Sequence, residues 1–137
     1  MGPERVMTGD RIALTVPARS DYAKTVRLTA AALASRMGMT YEEVDEVRMA
    51  AEEAFVYATD TLAEDGEVSF VFTVGSEELG IDVALGSEEP ASGEDAERNT
   101  AYATFILESV CDSLEFVSDE TGAHLRLAKR VGSVDAD

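Results

Sequence analysis

The sequence predicts an α+β fold, a two-layer sandwich in which one mostly antiparallel sheet carries three helices on a single face. Three observations carry that expectation. The 137 residues suffice for one hydrophobic core and not for two. Stretches of period-two alternation occur at the start, middle and end of the chain, the last two as hairpins. Between them lie three stretches of helical periodicity, in the order strand, helix, helix, two strands, helix, two strands.

Each element has its own signal. "RIALTV" sends Ile12, Leu14 and Val16 to one side and stops at Pro17, as a first strand does. A first helix follows, with Ser20 as its expected N-cap, Tyr22, Val26, Ala30, Leu33 and Met37 at three- and four-residue spacing, and Gly38 at its C-terminal stop. Its length corresponds to about five turns. The second helix begins at Thr40, with Glu43 completing a capping box. Its stripe runs through Val44, Val47, Ala51, Ala54, Ala58 and Leu62, until Glu64, Asp65 and Gly66 break it.

Val68, Phe70, Phe72 and Val74 share one face of the next strand, and Leu79, Ile81, Val83 and Leu85 one face of its partner, with "GSEE" as the turn. The stretch from Gly86 to Arg98 has no apolar period and many turn formers, which predicts a long loop. A third helix, "NTAYATFILESVCDS", is expected to bury Phe105 or Ile106, Val110 and Cys111. "LEFVS" and "HLRLAKR" form a closing hairpin around "DETG". A single domain over 11–131 is expected, with 1–10 and 132–137 as flexible tails.

Composition excludes several functions. With 28 acidic residues against 11 basic ones the net charge is -17, which repels nucleic acid and anionic lipid and favours neutral or basic protein partners. One cysteine permits no intrachain disulfide, and the sequence offers no cluster of metal ligands, so no metal site is expected. No apolar run approaches a membrane span, and the N-terminal residues have neither an apolar leader core nor a myristoylation pattern; a cytoplasmic protein is the expectation.

The segment "AAEEAFVYA" poses the functional question, because Glu52, Glu53 and Tyr57 interrupt an otherwise apolar helix. At about 100° per residue, Glu53 and Tyr57 are neighbours, with Met49, Val56 and Asp60, on the face opposite the core stripe. Glu52 points elsewhere, so the two glutamates do not act as an acid/base pair. Met49 and Val56 make this face unusually apolar for a purely solvated one, which leaves two readings from the residues alone: Glu53 exposed beside a marginally apolar patch, or the lining of a site. Cys111 on the apolar stripe of the last helix is read as a small hydrophobe and not a nucleophile, and His124 as a half-exposed strand residue. Arg36, Lys129 and Arg130 are read as solvated.

"VDEVRMAAEEAFVYA" resembles the N-box helix of the anti-sigma-factor serine kinases, members of the Hsp90/histidine-kinase-like (GHKL) ATPase superfamily. "VPARSDYAKTVRLTAAALASRMGM" is similar to that family's opening strand and first helix, and "FILESVCDSLEFVSDETGAHLRLAKRV" to its last helix and hairpin. The resemblance spans about residues 11–131 and implies helices on one face of a mixed sheet, with an ATP lid before the last helix. Glu53 falls at the position of the general base.

The resemblance also implies positions that this sequence does not fill in the family's manner. The Mg²⁺-binding asparagine is replaced by Tyr57, a neutral phenol and a poor ligand for a hard cation. Ala84 stands for the adenine-reading aspartate, leaving Gly86 of that motif, and Ala101 and Ala103 stand where a glycine-rich phosphate cradle belongs. Glu88, Glu89, Glu94, Asp95 and Glu97 of the loop would repel a triphosphate. These positions imply a remnant base at Glu53, a pocket filled by Tyr57 and Met49, and no cofactor. The role implied is an anti-sigma-like regulator that binds a sigma factor or a STAS-type anti-anti-sigma partner, or both, without kinase activity. An active serine kinase using Mg·ATP through diverged motifs is the alternative, and a homodimeric partner for a competent paralogue is a third reading.

Overall fold

The computed structural model describes residues 9–61, 66–86 and 93–132. The expected tails, Leu62, the break at Glu64 and Asp65, and Glu88 and Glu89 of the loop lie largely or wholly outside them. The elements are β1 (Asp10–Pro17), a 3₁₀ turn (Ser20–Tyr22), α1 (Ala23–Arg36), α2 (Tyr41–Thr61), β2 (Glu67–Val74), β3 (Glu78–Ala84), α3 (Glu94–Val110), β4 (Ser113–Asp119) and β5 (Gly122–Arg130).

The strands form one sheet in the order β1-β2-β3-β5-β4. All four pairings are antiparallel, with Phe72 opposite Ile81, Val83 opposite Leu125 and Phe116 opposite Leu125 in register. Among the described residues there is none of the parallel pairing that a mixed sheet would contain. The alternation read from sequence holds: Val68, Phe70, Phe72, Leu79, Ile81, Val83 and Leu85 are all buried on the helix side. Phe70 and Phe72 stack with ring centroids 5.6 Å apart.

The second helix begins as its capping box requires. Thr40 Oγ1 accepts from the Glu43 backbone N–H at 3.1 Å, and Glu43 Oε1 accepts from the Thr40 N–H at 2.8 Å. Glu43 is wholly buried in doing so. The core stripe of α2 is broader than the periodicity indicates, since Ala50 and Phe55 are buried along with Val47, Ala51, Ala54 and Ala58. The width has a packing cause: α2 lies between α1 and α3 and also covers β2 and β3.

Three local expectations are corrected. Ser20 opens a 3₁₀ turn and makes no side-chain cap, so α1 is a helix of 14 residues, nearer four turns than five. It does stop at Gly38, whose φ of +85° suits a residue without Cβ. The third helix starts at Glu94, five residues before the expected start, so Glu94, Asp95 and Glu97 belong to its first turn, where the helix dipole favours acids. Its buried residues are Ala103, Leu107 and Val110, whereas Phe105 is 71% exposed and Cys111 is half-buried beyond the helix end.

Lys129 is also not a solvated residue. Alternation along β5 sends Leu125, Leu127 and Lys129 to the helix side, and Lys129 is buried there. Its ammonium donates to Glu46 of α2 and, at 3.0 Å, to the carbonyl of Val110 at the end of α3. One buried cation thereby joins β5, α2 and α3, which an apolar side chain of equal length could not do with polar specificity.

Both the cap and the buried cation can be weighed by substitution. Thr40→Ala removes the capping hydroxyl and is expected to cost about 1 kcal/mol, lowering the melting temperature by roughly 3–6 °C. A melting curve superimposable on wild type would show that the cap carries no stability. Lys129→Met leaves Glu46 without its cation and the Val110 carbonyl without this donor, at a cost of about 1–3 kcal/mol. Adding Glu46→Gln to Lys129→Met should recover part of that loss in denaturant titrations, because the uncompensated charge is then gone.

Candidate functional site

Two ties fix how α3 lies on α2. Near the start of α3, Tyr57 and Thr100 hydroxyls are 2.9 Å apart. Thr100 Oγ1 already donates to the Ala96 carbonyl, so Tyr57 is the donor between them. Near the end of α3, Lys129 bridges Glu46 and Val110. The two helices are therefore antiparallel, and Glu53, between residues 46 and 57, falls opposite the turn around Thr104.

Glu53 is half-buried along this seam. Partial burial raises its carboxyl above the ordinary value of 4.5, and the carboxylates of Asp60 and Glu52 push it the same way. A carboxyl raised in this way, with a half-open face, has the character of a group that can accept a proton. Glu52 is turned away and meets Arg27 of α1 at 3.3 Å, so the two glutamates serve different contacts, as the helical angle requires.

Tyr57 differs from its expected placement opposite the core. It packs partly against the core, and its ring meets Phe116 of β4 edge-on at 5.8 Å. The phenol thus spans α2, α3 and β4. Met49 does not join it there: at 44% exposure it points outward, as does Val56 at 40%.

The remaining candidate positions are spread over the fold. Ala84 is at the end of β3 in register with His124, on the bare face of the sheet together with Asp82. A group that reads a base from the helix side would have to come from its neighbour Leu85, which is buried and apolar. Gly86 follows with a φ of +91° and accepts from the Ala123 backbone N–H at 3.1 Å. Ala101 is exposed and Ala103 buried, and both lie in the middle of α3. Their backbone N–H groups belong to the helical ladder and are not available to cradle phosphates.

Tested as a Mg·ATP site, these described residues do not fit. The position for the metal ligand offers a phenol engaged with Thr100, the end of β3 offers no carboxylate to the helix side, and the stretch for the phosphate cradle is closed helix. No group of three His, Cys, Asp or Glu among the described residues is arranged to hold a metal ion.

Cys111 and His124 remain apart, as their places in sequence suggest. Burial pushes the Cys111 thiol up to about 12, against a smaller opposing effect of Lys129, which leaves no thiolate for chemistry. His124 sits on the other face of β5, with Nδ1 at 2.8 Å from Asp82 and Nε2 at 2.7 Å from Thr121. Arg126 Nε also donates to Asp82, at 2.8 Å. This polar cluster braces the β3–β5–β4 end of the sheet. The alternation of Asp82, His124 and Arg126 on one face, against Leu125 and Leu127 on the other, was its sequence signal.

An open antiparallel sheet covered on one face by three helices, with a glutamate of the central helix beside the last helix, defines a domain with the architecture of an ATPase. Residues 16–129 match the histidine kinase-like ATPase domain, and the chain belongs to that family. The serine-protein kinase RsbW of Bacillus subtilis is 29% identical over 145 aligned positions, covering 93% of this chain and 90% of its own. RsbW of Oceanobacillus iheyensis is 23% identical, with 93% and 91% covered. Among solved structures, the RsbU and RsbW domains of a Mycobacterium tuberculosis protein share the fold, with a TM-score of 0.67 and 15% identity over 89% of this chain. The present chain spans 32% of that longer one. No described helix is long and apolar enough to cross a membrane.

The sign of the Glu53 shift gives a pH prediction. Because folding raises its pKa, the native state holds the proton more tightly than the unfolded chain, and stability falls as pH rises from the ordinary carboxylate value through the folded one. Glu53→Gln removes this penalty. The variant should melt above wild type at neutral pH, and the difference should vanish at about pH 3.5, below the ordinary carboxylate range. A difference independent of pH would assign the effect to packing.

Proposed function

We propose that this protein is a regulator that acts by binding, holding a sigma factor, a STAS-type anti-anti-sigma partner, or both, without hydrolysing ATP or transferring phosphate. Kinship with proteins named serine-protein kinase RsbW supports the partner class. The observation that carries the loss of catalysis is the enclosure of Ala101 and Ala103 within α3, where a backbone cradle for phosphates would need free N–H groups. Tyr57 at the metal position and Leu85 at the end of β3 support the same reading. The acidic surface suits a basic partner. A cytoplasmic location accords with a partner of the transcription machinery, and a homodimer is compatible with this role.

One observation favours a second reading, an active serine kinase with diverged motifs: Glu53 keeps its place, and its raised carboxyl suits a general base. Two measurements separate the readings. A ligand at about a hundred times its dissociation constant adds roughly 2.7 kcal/mol to the native state, a shift of several degrees in a domain of this size. No shift is expected with millimolar Mg·ATP, either in wild type or in Tyr57→Asn, since one restored ligand supplies neither base recognition nor a cradle. A shift in wild type, or radiolabelled phosphate passing to a STAS-domain protein and lost in Glu53→Gln, would establish the kinase.

A further inference from the structure

The outer surface of the helical layer carries large apolar side chains that lie outside the core. Met49 and Val56 stand two turns apart on the outward face of α2, 44% and 40% exposed, and Phe105 projects from α3 at 71%. The buried residues of α2 and of α3 mark the inward direction of each helix, and all three side chains lie roughly opposite it. The antiparallel packing set by the Tyr57–Thr100 and Lys129 ties brings Phe105 to the level of Glu53, between Met49 and Val56 along the seam. Ala101, exposed one turn before Phe105, leaves the surface low beside it.

The surroundings of this apolar ridge are predominantly acidic. Glu42 and Asp60 on α2, and Glu94, Glu97 and Glu108 on α3, are exposed about it. The nearest cations are engaged locally: Arg48 pairs with Asp45, Arg98 with Asp95 at 3.1 Å, and Arg27 with Glu52. An aromatic and aliphatic centre within an acidic rim is the complement of a basic amphipathic segment.

We propose that Met49, Val56 and Phe105, with Glu53 at their centre, form a docking surface for an amphipathic helix whose apolar face covers the ridge and whose Lys or Arg side chains meet Glu53 and the acidic rim. The inference deepens the reading of this chain as a partner-binding protein, and rests on it. Such an occupant removes the exposed apolar surface from water and sets a cation beside a carboxyl that Asp60 and Glu52 now crowd. It also gives Glu53 a role in recognition that needs no nucleotide.

The test uses the full chain and a defined probe, an 18-residue peptide of leucine and lysine in helical pattern, with a leucine and glutamate peptide as control, followed by NMR titration at about 0.15 M salt. Expected is saturable binding of the lysine peptide alone, with shifts concentrated at Met49, Glu53, Val56, Ala101 and Phe105. Phe105→Ala should weaken it at least tenfold, as loss of a central aromatic does. Leu28→Ala, which removes an exposed side chain of α1, should leave it within twofold. Shifts spread over the acidic surface, or binding that Phe105→Ala leaves intact and salt abolishes, would overturn the proposal, since attraction to the net charge alone would then account for it. The assay involves neither ATP nor phosphate transfer, so a kinase result leaves it standing, whereas a failed titration overturns this docking surface and leaves the partner class to be tested on its own.

Discussion

The fold is organised by the burial of α2. Its inward face is made of small residues, Ala50, Ala51, Ala54 and Ala58, around the one large side chain Phe55. Small side chains let neighbouring backbones approach closely, and here α1 and α3 both pack against α2 while it covers β2 and β3. The reciprocal Thr40 and Glu43 cap fixes where that helix begins.

Polar ties then set the angle and register of α3 on this central helix. Lys129 acts from beneath, reaching Glu46 and the last carbonyl of α3, while Tyr57 acts from the other end through Thr100. Hydrophobic burial is nondirectional and would tolerate sliding of α3; two specific hydrogen-bonded contacts about ten residues apart would not. The stretch holding Ala101 and Ala103 is kept as helix, and Tyr57 occupies the space between α2, α3 and β4.

Architecture and chemistry depend on different groups in such a domain. The architecture rests on alternating apolar residues and a small-residue helix face. Nucleotide chemistry rests on a few side chains and free backbone N–H groups at the ends of elements. In this protein the first set is intact, while Tyr57 meets Thr100, Leu85 is buried on the helix side and Ala101 and Ala103 lie within α3. The apolar side chains on the outside of the layer are a further feature that folding alone does not require.

The sequence by itself determined the order of elements, the two hairpins and their register faces, the start of α2 and the stop at Gly38, because each is encoded within a few neighbouring residues by period, cap or turn. It also placed Glu53 and Glu52 on different contacts through helical angle alone. Tertiary structure decided what depends on several elements meeting: the wide core face of α2, which α1, α3 and the sheet cover; the inward Lys129, whose burial needs Glu46 from 83 positions away; and the outward Phe105, which the period of α3 could not separate from Ile106 until the sheet fixed the helix's rotation. Ala84 belongs with these, since only the pairing with β5 shows that it faces away from the helices and that Leu85 faces them. Local signals specify backbone states, whereas side-chain environment is a property of the packed layers.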